Sequence, residues 1–201
     1  MPASSVSSSP SGPSGRADLD CPHVPELGYG DFSRRLREKL VGRRVPLSGS
    51  IELTSRCNLA CAHCYINLPA GDASARTREL GTRELTGVLD QIAEEGGLWL
   101  LLTGGEPLLR SDFPAVWEHA KRAGFLLTLF TNATLLTPRL AELLAEWTPF
   151  CVEVTLYGAT ERTYERVTGV PGSYARCRQG IDLLLGRALP LRLKTVAMTL
   201  N

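Results

Sequence analysis

Three cysteines lie close together and are the part of the sequence best suited to chemistry. Cys57, Cys61 and Cys64 occur in the run Thr-Ser-Arg-Cys-Asn-Leu-Ala-Cys-Ala-His-Cys-Tyr at 54–65, directly after a strand-like stretch. Thiolates are soft ligands that select iron–sulfur clusters, zinc or Cu(I). Three thiolates without a fourth nearby suit a four-iron cluster that leaves one iron open to a substrate or cofactor. The spacing therefore favours a catalytic iron–sulfur site.

Two other interpretations of these cysteines remain open. A structural zinc site normally has four ligands in paired C-x2-C groups, and only Cys61 and Cys64 form such a pair. His63 is a candidate fourth ligand, but it lies between two cysteines. Its ring would therefore have to point toward the same metal as both neighbouring thiols. A disulfide is the least favoured interpretation, because a thiolate-ligated cluster fits a reducing cytoplasm. We therefore expect a cytoplasmic protein.

A second motif, Gly-Gly-Glu-Pro at 104–107, follows the next apolar stretch along the chain. Alone it is a weak signal, since Gly/Pro clusters also mark ordinary turns. The cysteine spacing and this motif together resemble the radical S-adenosylmethionine (SAM) superfamily. The resemblance implies that the three cysteines hold a [4Fe-4S] cluster and that SAM chelates the fourth iron. It also implies an external electron donor of the flavodoxin or ferredoxin type, and reductive cleavage of SAM to methionine and a 5′-deoxyadenosyl radical.

The resemblance further implies which residues contact SAM, namely Gly104, Gly105, Glu106, Pro107, Asn132, Thr155 and Tyr65. The missing Cβ atoms of the double glycine would let the backbone approach the methionine part of SAM. The Glu106 carboxylate would accept from its ammonium group. Ala133 stands where the family has the glycine of a Thr-Asn-Gly segment, so Asn132 is equally consistent with a turn. The family more often has an aromatic residue before the last cysteine than after it, where Tyr65 lies.

Alternating strands and helices position these groups. Short apolar runs bounded by turn residues predict strands at 50–54, 98–103, 126–131, 151–157 and 191–199. Helical spacing of apolar residues predicts a helix at 82–95 and another from Thr137-Pro138 onward, with Ser111 and Ser173 as candidate N-caps of two more. The alternation predicts an α/β fold with βαβ crossovers and a parallel sheet. The resemblance implies a curved, partial (β/α)6 TIM-like barrel of about five βα units.

The candidate groups follow successive predicted strands. The cysteines come after the first, the Gly-Gly-Glu-Pro motif after the second and Asn132 after the third, while Thr155 and Tyr157 lie late in the fourth. Ligands of parallel α/β sheets bind at the carboxyl ends of the strands. We therefore expect these groups to surround one site.

Charged residues on the last two predicted strands have two interpretations. Glu153 shares a strand face with Thr155 by the period of two. A carboxylate facing a dry interior requires a partner, which is either a polar ligand or Lys194. Lys194 or Arg192 is in turn a candidate for binding the SAM carboxylate, with a structural salt bridge as the alternative.

Composition separates a tail from a globular core. With 43% hydrophobic residues, 21% charged residues and a net charge of +1, the 201 residues give no electrostatic reason to expect nucleic-acid or membrane partners. Residues 1–20 are rich in Ser, Pro and Gly without an apolar h-region, which predicts a disordered tail. Residues 21–46 are expected to form an N-terminal extension with a short helix at 32–40, and residues 47–201 the radical SAM core.

The segment from 153–160 through 169–173 resembles the branch of the family that often carries a further cysteine-rich (SPASM or twitch) domain. Many members of this branch modify peptides or proteins. Because the chain stops at Asn201, after the fifth predicted strand, we expect a C-terminally incomplete core. The leading hypothesis is a radical SAM enzyme core acting on a peptide, protein or natural product. The alternatives are a non-catalytic or partner-dependent subunit that binds the cluster and SAM, and a zinc-stabilised binding module.

Overall fold

The computed structural model describes residues 27–66 and 68–201. These residues divide into two compact units, of which the first ends at Arg43 and the second is Arg44–Asn201. The first unit contains helix α1, Tyr29–Lys39, where the sequence predicts a short helix at 32–40. The predicted tail at 1–20 lies outside the described residues.

The second unit alternates strands and helices. In chain order its elements are β1 (Ser48–Glu52), β2 (Arg56–Cys57), β3 (Leu68–Pro69), α2 (Ala73–Thr77), α3 (Thr82–Glu94), β4 (Trp99–Thr103), a 3-10 helix (Pro107–Leu109), α4 (Phe113–Arg122), β5 (Leu126–Thr131), α5 (Pro138–Glu146), β6 (Cys151–Thr155), α6 (Glu161–Thr168), α7 (Ser173–Leu185) and β7 (Leu191–Lys194). All five predicted strands are present, although the first, fourth and fifth end earlier than predicted. The sequence patterns do not predict β2, β3, α2 or α6, because these elements are too short to show a clear period.

Five parallel strands form the central sheet in the order β1-β4-β5-β6-β7. The order of these five strands in the sheet is the same as their order along the chain. At least one helix lies in every connection between them, as βαβ units require. The predicted α/β fold with a parallel sheet is therefore confirmed. A separate parallel pair, β2 with β3, joins the two ends of the cysteine loop. None of the described helices is long and apolar enough to cross a membrane.

Side chains of the strands point alternately to the two faces of the sheet, one of which packs in the hydrophobic core while the other lines a cavity. On one face of the sheet Leu102, Leu129 and Val154 are all 0% exposed. They belong to a single hydrophobic cluster that includes side chains of the surrounding helices. Side chains of the opposite face, such as Thr103 and Phe130, line the cavity instead. In the central strands the period of two thus places alternate side chains in the core and at the cavity.

Helix starts follow the capping rules with two corrections. As predicted, α5 begins at Pro138 after Thr137, whose hydroxyl accepts from the Leu140 N–H at 3.2 Å. Ser173 is the first residue of α7 and Ser111 precedes the N-cap of α4, so neither is the cap that the sequence predicts. A glycine with a φ of 71° precedes α7. An aspartate precedes α4, and its carboxylate binds an arginine.

Candidate functional site

One cavity opens at the carboxyl ends of all five strands of the sheet. Its volume is about 530 Å³, within the usual range of ligand pockets. The last residue of every strand lines it, namely Glu52, Thr103, Thr131, Thr155 and Lys194. Most of the predicted site residues also line it: Cys57, Cys61, Cys64, Tyr65, Gly104, Gly105, Asn132 and Thr155. The structure thus brings these residues together around one space, as the sequence predicts.

The cysteine loop is held by the end of α6. The Ala60 N–H donates to the Thr168 carbonyl and the Ala62 N–H to the Val167 carbonyl, both at 2.9 Å. These carbonyls belong to the last turn of the helix and lack partners within it. The loop therefore satisfies the end of α6, and the helix fixes the backbone between the first and third cysteines.

Among the described residues the three cysteines form no disulfide, and each is half-buried. Burial raises the pKa of the Cys57 thiol to about 11, and it also raises the pKa of the Cys61 thiol. These two thiols are therefore neutral at pH 7 in the absence of a metal. Among residues 27–66 and 68–201 no three His, Cys, Asp or Glu side chains already lie close enough to hold a metal ion. Three soft donors around one cavity nevertheless fit an iron–sulfur cluster, whose binding would release the protons of Cys57 and Cys61.

The double glycine packs against the chain's own backbone. The Gly105 N–H donates to the Thr54 carbonyl at 2.7 Å and the Glu106 N–H to the Arg56 carbonyl at 2.9 Å. A Cβ at Gly104 would lie 2.3 Å from the Thr54 oxygen, and one at Gly105 would lie 2.2 Å from the Arg56 oxygen. The sequence suggests a close approach to SAM as the reason for the glycines, and the structure shows a further reason. They allow a close approach to the segment that leads into Cys57.

Glu106 lies behind the wall of the cavity. It is 0% exposed, and its carboxylate accepts from the Leu108 N–H at 3.1 Å, the Thr131 hydroxyl at 2.7 Å and the Asn132 N–H at 2.8 Å. Burial raises its pKa, although these hydrogen bonds oppose the effect. Glu106 and Pro107 are not among the described residues that line the cavity. The expected contact between this carboxylate and an ammonium group therefore gives way to an internal role.

Asn132 links the end of β5 to the cysteine loop. Its side-chain nitrogen donates to the Asn58 side-chain oxygen at 3.0 Å and lies 3.8 Å from the Cys57 sulfur. Its side-chain oxygen accepts from the Thr134 N–H at 2.9 Å and from the Thr134 hydroxyl at 2.6 Å. The residue thus makes a turn and also faces the cavity. The two interpretations of Asn132 in the sequence are compatible.

Tyr65 and Thr155 occupy different parts of the cavity wall. The Tyr65 side chain is 87% exposed, and its hydroxyl donates to the Glu52 carboxylate at 3.0 Å. That hydrogen bond raises the Tyr65 pKa. Thr155 ends β6 and pairs in register with Lys194 of β7. Tyr65 therefore stands at the open rim, whereas Thr155 belongs to the sheet.

Lys194 lies over an aromatic ring at the cavity. Its Nζ is 2.8 Å from the centre of the Phe130 ring and 3.7 Å from the Glu153 carboxylate. Glu153 also accepts from Arg192 at 2.9 Å. Of the two partners predicted for Glu153, the structure shows the ion pair with Lys194. Burial lowers the pKa of Lys194, and the nearby carboxylate partly offsets this effect.

Sequence reasoning does not identify a buried ionic network beneath the cysteine loop. Arg56 donates to the Glu79 carboxylate at 2.7 and 3.1 Å, and Arg110 lies 3.6 Å from the same carboxylate. Arg110 also forms a paired contact with Asp112 at 2.9 and 2.7 Å. Arg56 and Arg110 are 8% and 7% exposed. Two cations and two carboxylates thus balance one another between the cysteine loop and the Gly-Gly-Glu-Pro turn.

The comparison with known proteins agrees with this site. The family model of the radical SAM superfamily matches residues 51–200. An AdoMet-dependent heme synthase of Methanosarcina barkeri (strain Fusaro / DSM 804) is 35% identical over 150 residues, which are 75% of this chain and 42% of that protein. A PqqA peptide cyclase of Rhizobium meliloti (strain 1021) is 33% identical over 156 residues, 78% of this chain and 41% of that protein. The chain spans about two fifths of the length of these relatives.

A solved structure has the same fold. Streptococcus suis SuiB, in its complex with the precursor peptide SuiA, superimposes with a TM-score of 0.68 at 20% identity, over 94% of this chain and 41% of that chain. At this level of identity the likeness concerns the fold alone. Radical SAM enzymes use a [4Fe-4S] cluster and SAM, and the matched residues include all three cysteines and the Gly-Gly-Glu-Pro motif. The chain belongs to the radical SAM superfamily.

Proposed function

We propose that this chain binds a [4Fe-4S] cluster through Cys57, Cys61 and Cys64 and binds SAM beside it in the cavity. The observation that carries the proposal is the position of the three thiols, which line the same space as the carboxyl ends of five parallel strands. When bound, the cluster and SAM supply one-electron cleavage of the sulfonium, giving methionine and a 5′-deoxyadenosyl radical that abstracts hydrogen from a substrate. The electron comes from an external donor of the flavodoxin or ferredoxin type.

The chain's own residues bind and orient in this proposal. Gly104, Gly105, Asn132, Thr155 and Tyr65 line the cavity and are the groups proposed to contact SAM. Glu106 and Pro107 support them from behind the wall. Because Glu106 accepts from the Asn132 N–H at 2.8 Å, its carboxylate fixes the backbone of one proposed contact. It also accepts from the N–H of Leu108, just beyond the Gly-Gly-Glu-Pro motif.

A peptide is the substrate that the relatives favour. One relative is a PqqA peptide cyclase, and the SuiB structure contains a precursor peptide. The AdoMet-dependent heme synthase, at 35% identity, favours a second candidate, a step in heme formation. Both candidates use the same cluster and SAM chemistry and differ in what occupies the cavity beside SAM. The substrate class therefore rests on the relatives, whereas the cofactor site rests on the described residues.

Anaerobic reconstitution with iron and sulfide tests the cluster. We expect about four irons per chain and broad visible absorption, both lost when Cys57, Cys61 and Cys64 are replaced by Ala. The matched control is Cys151→Ala, because Cys151 is a buried thiol at the start of β6, and it should retain full iron. Normal iron content in the triple variant would refute the assignment. Bound zinc with no visible absorption would support the zinc module instead.

Formation of 5′-deoxyadenosine with dithionite as reductant tests the reaction. The reconstituted protein should form it from SAM, and the triple cysteine variant should not. A protein that binds about four irons and SAM but forms no 5′-deoxyadenosine would support the alternative of a cluster-binding subunit. Incubation with candidate peptides or heme precursors, followed by mass spectrometry, then distinguishes the two substrate classes.

A further inference from the structure

The sulfur of Cys57 accepts hydrogen bonds from two nitrogen atoms. The Leu59 N–H donates to it at 3.4 Å, and the side-chain nitrogen of Asn132 donates to it at 3.8 Å. Leu59 belongs to the cysteine loop itself, whereas Asn132 follows β5 and is 75 residues away in the sequence. The roles considered so far for the site do not use this contact between the amide and the sulfur.

We propose that the Asn132 amide, oriented by Asn58 and Thr134, donates a hydrogen bond to the sulfur of Cys57 and thereby raises the reduction potential of the cluster. The inference rests on the proposed function, because it requires Cys57 to be a cluster ligand. It makes Asn132 a positioning residue that acts through Cys57.

The backbone of Thr134 decides which end of the Asn132 amide faces the sulfur. A backbone N–H can only donate, and that of Thr134 meets the side-chain oxygen of Asn132 at 2.9 Å. The oxygen of the amide is therefore turned toward Thr134. The nitrogen, which can only donate, is left on the side of Asn58 and Cys57.

Three side chains close a ring of hydrogen bonds beside the sulfur. The Asn132 nitrogen donates to the Asn58 oxygen at 3.0 Å, and the Asn58 nitrogen donates to the Thr134 hydroxyl at 2.7 Å. That hydroxyl donates to the Asn132 oxygen at 2.6 Å and so completes the ring. Because Asn58 follows Cys57 directly in the sequence, the ring fixes the amide to the loop that carries the sulfur.

This arrangement uses all the hydrogen-bonding capacity of the Asn132 side chain. Its oxygen accepts twice from Thr134. One hydrogen of its nitrogen goes to Asn58 and the other to Cys57, and an amide nitrogen has two hydrogens in all. The proposed contact of this side chain with SAM is then one of packing, while its polar role is at the sulfur.

The backbone of Asn132 is also held in place before the cluster binds. Its N–H donates to the Glu106 carboxylate at 2.8 Å, and the preceding Thr131 hydroxyl donates to the same carboxylate at 2.7 Å. Glu106 is 0% exposed. Because backbone and side chain are both already ordered, the hydrogen bond to sulfur costs little conformational entropy.

A donor at a ligand sulfur changes the cluster in a defined direction. A thiolate that binds iron carries no proton and can only accept. Reduction adds negative charge, part of which resides on the sulfur ligands, and a hydrogen bond stabilises that charge. Hydrogen bonds to the sulfurs are among the factors that set the potentials of iron–sulfur clusters. Removing the amide should therefore make the cluster harder to reduce.

The decisive experiment is a redox titration of the reconstituted protein, followed by the electron paramagnetic resonance signal of the reduced cluster without SAM. Asn132→Leu removes the amide and keeps a side chain of similar size. It should keep its iron content and shift the midpoint potential to a more negative value. Asn58→Ala should shift the midpoint in the same direction by a smaller amount, since the amide remains but loses one of the partners that orient it.

Thr134→Val is the matched control. It removes a hydroxyl next to the amide but keeps the Thr134 N–H that holds the Asn132 oxygen. Its midpoint potential should stay close to that of the unmodified protein. A shift as large as that of Asn132→Leu would assign the effect to lost polarity and overturn the inference.

If Asn132→Leu does not bind iron, Asn58→Ala decides the question in its place. An unchanged midpoint in the deciding variant, folded and loaded with iron, overturns the inference. Failure of the unmodified protein to bind iron overturns the proposed function instead.

Discussion

A single missing atom in the turn after β4 determines how closely two parts of the site approach. Gly105 lies against the backbone of the segment before the first cysteine, where an added Cβ would be 2.2 Å from the Arg56 oxygen. No real Cβ is found at such a distance, so the turn and the cysteine segment would have to separate. This contact links the glycine motif to the thiol motif before any cofactor binds.

Gly105→Ala is therefore expected to impair the cysteine loop as well as SAM binding. Overpacking of this kind costs about 1–3 kcal/mol in the free energy of unfolding, and displacement of the Arg56 carbonyl should move Cys57. We expect reduced iron content after reconstitution, measured by a colorimetric iron assay, together with a lower denaturation midpoint.

Gly49→Ala is the control for this change. Gly49 lies in β1, and an added Cβ there would meet no described atom within 4 Å. This variant should bind iron like the unmodified protein. Full iron content and unchanged stability in Gly105→Ala would show that the turn can move away without cost.

Another residue-scale feature is the strained backbone at Ala133. Its φ of 59° lies in the left-handed region, which costs a residue other than glycine roughly 1–2 kcal/mol. The Thr131 hydroxyl accepts from the Ala133 N–H at 3.0 Å and helps to hold this conformation. The glycine found in the corresponding family segment thus has a conformational explanation, and alanine is tolerated because its neighbours fix the turn.

At the scale of elements, the buried ionic network joins the cysteine loop to the segment after the Gly-Gly-Glu-Pro turn. Burial opposes ionisation of Glu79, but hydrogen bonds from Arg56 and Thr54 and the charges of Arg56 and Arg110 outweigh it and lower its pKa. The Glu79 side chain is 12% exposed, so solvent screens the network weakly. A carboxylate with a lowered pKa in the folded state stabilises the fold above its unfolded pKa.

Glu79→Gln should lower the free energy of unfolding and remove part of its dependence on pH in the acid range. At pH 7 we expect a loss of about 3 kcal/mol, because Arg56 and Arg110 keep buried charges without their shared partner. In the unmodified protein this contribution decreases as the pH falls from about 4.3, the ordinary value for glutamate, through the lower folded pKa. The difference in the free energy of unfolding between the two proteins should therefore become smaller at acid pH. Urea unfolding of the cofactor-free proteins measures it.

Glu142→Gln serves as the comparison for the network. Glu142 pairs with Arg187 at 3.4 Å, but its side chain is 69% exposed, and exposed pairs contribute little. This variant should follow the unmodified protein at every pH. A Glu79→Gln protein that keeps the full acid dependence would show that other carboxylates are responsible for it.

Two helical glycines allow a second test at this scale. A Cβ added at Gly180 in α7 would lie 2.2 Å from the Ala133 carbonyl oxygen. A Cβ added at Gly87 in α3 would meet no described atom within 4 Å. Gly87→Ala should raise the free energy of unfolding by up to about 1 kcal/mol through helix propensity. Gly180→Ala should lower it by about 1–3 kcal/mol, because α7 would be pushed away from the turn after β5.

Thermal denaturation of the two glycine variants measures this difference directly. Because both glycines lie inside helices, propensity contributes similarly to each, and the difference reports the contact at Gly180. A rise in melting temperature for both variants would mean that α7 shifts without cost, and that the close approach to β5 is not needed for stability.

At the scale of the whole molecule, the cavity depends on residues from every strand of the sheet. A ligand that binds this folded cavity, and not the unfolded chain, stabilises the protein by mass action. SAM at 100 times its Kd should raise the free energy of unfolding of the reconstituted protein by about 2.7 kcal/mol. The measurement is a denaturation series with and without SAM under anaerobic conditions.

The variant that lacks all three cysteines provides the reference for this measurement. Its stability should respond to SAM much less, because the proposed cluster would no longer hold the methionine end of the ligand. A reconstituted protein with full iron and no response to saturating SAM would contradict the proposed SAM site while leaving the cluster intact.

The local pattern of the sequence was sufficient to predict the general architecture. Alternating apolar runs predict the five parallel strands, and the spacing of Cys57, Cys61 and Cys64 predicts three thiols at one cavity. Both features depend on residues close in sequence, because the strand period and a short loop leave few other arrangements. Strand ends and short elements such as α2 were less predictable, since a few residues show no period.

Tertiary structure alone decided what each site residue touches. Glu106 receives hydrogen bonds from Thr131 and Asn132, Arg56 pairs with Glu79, and Tyr157 reaches His63 from 94 residues away. A motif gives the type of side chain but not its direction, which depends on packing against elements distant in sequence. For the same reason the glycines could be recognised from the sequence, while their partner, the chain's own backbone at Thr54 and Arg56, could not.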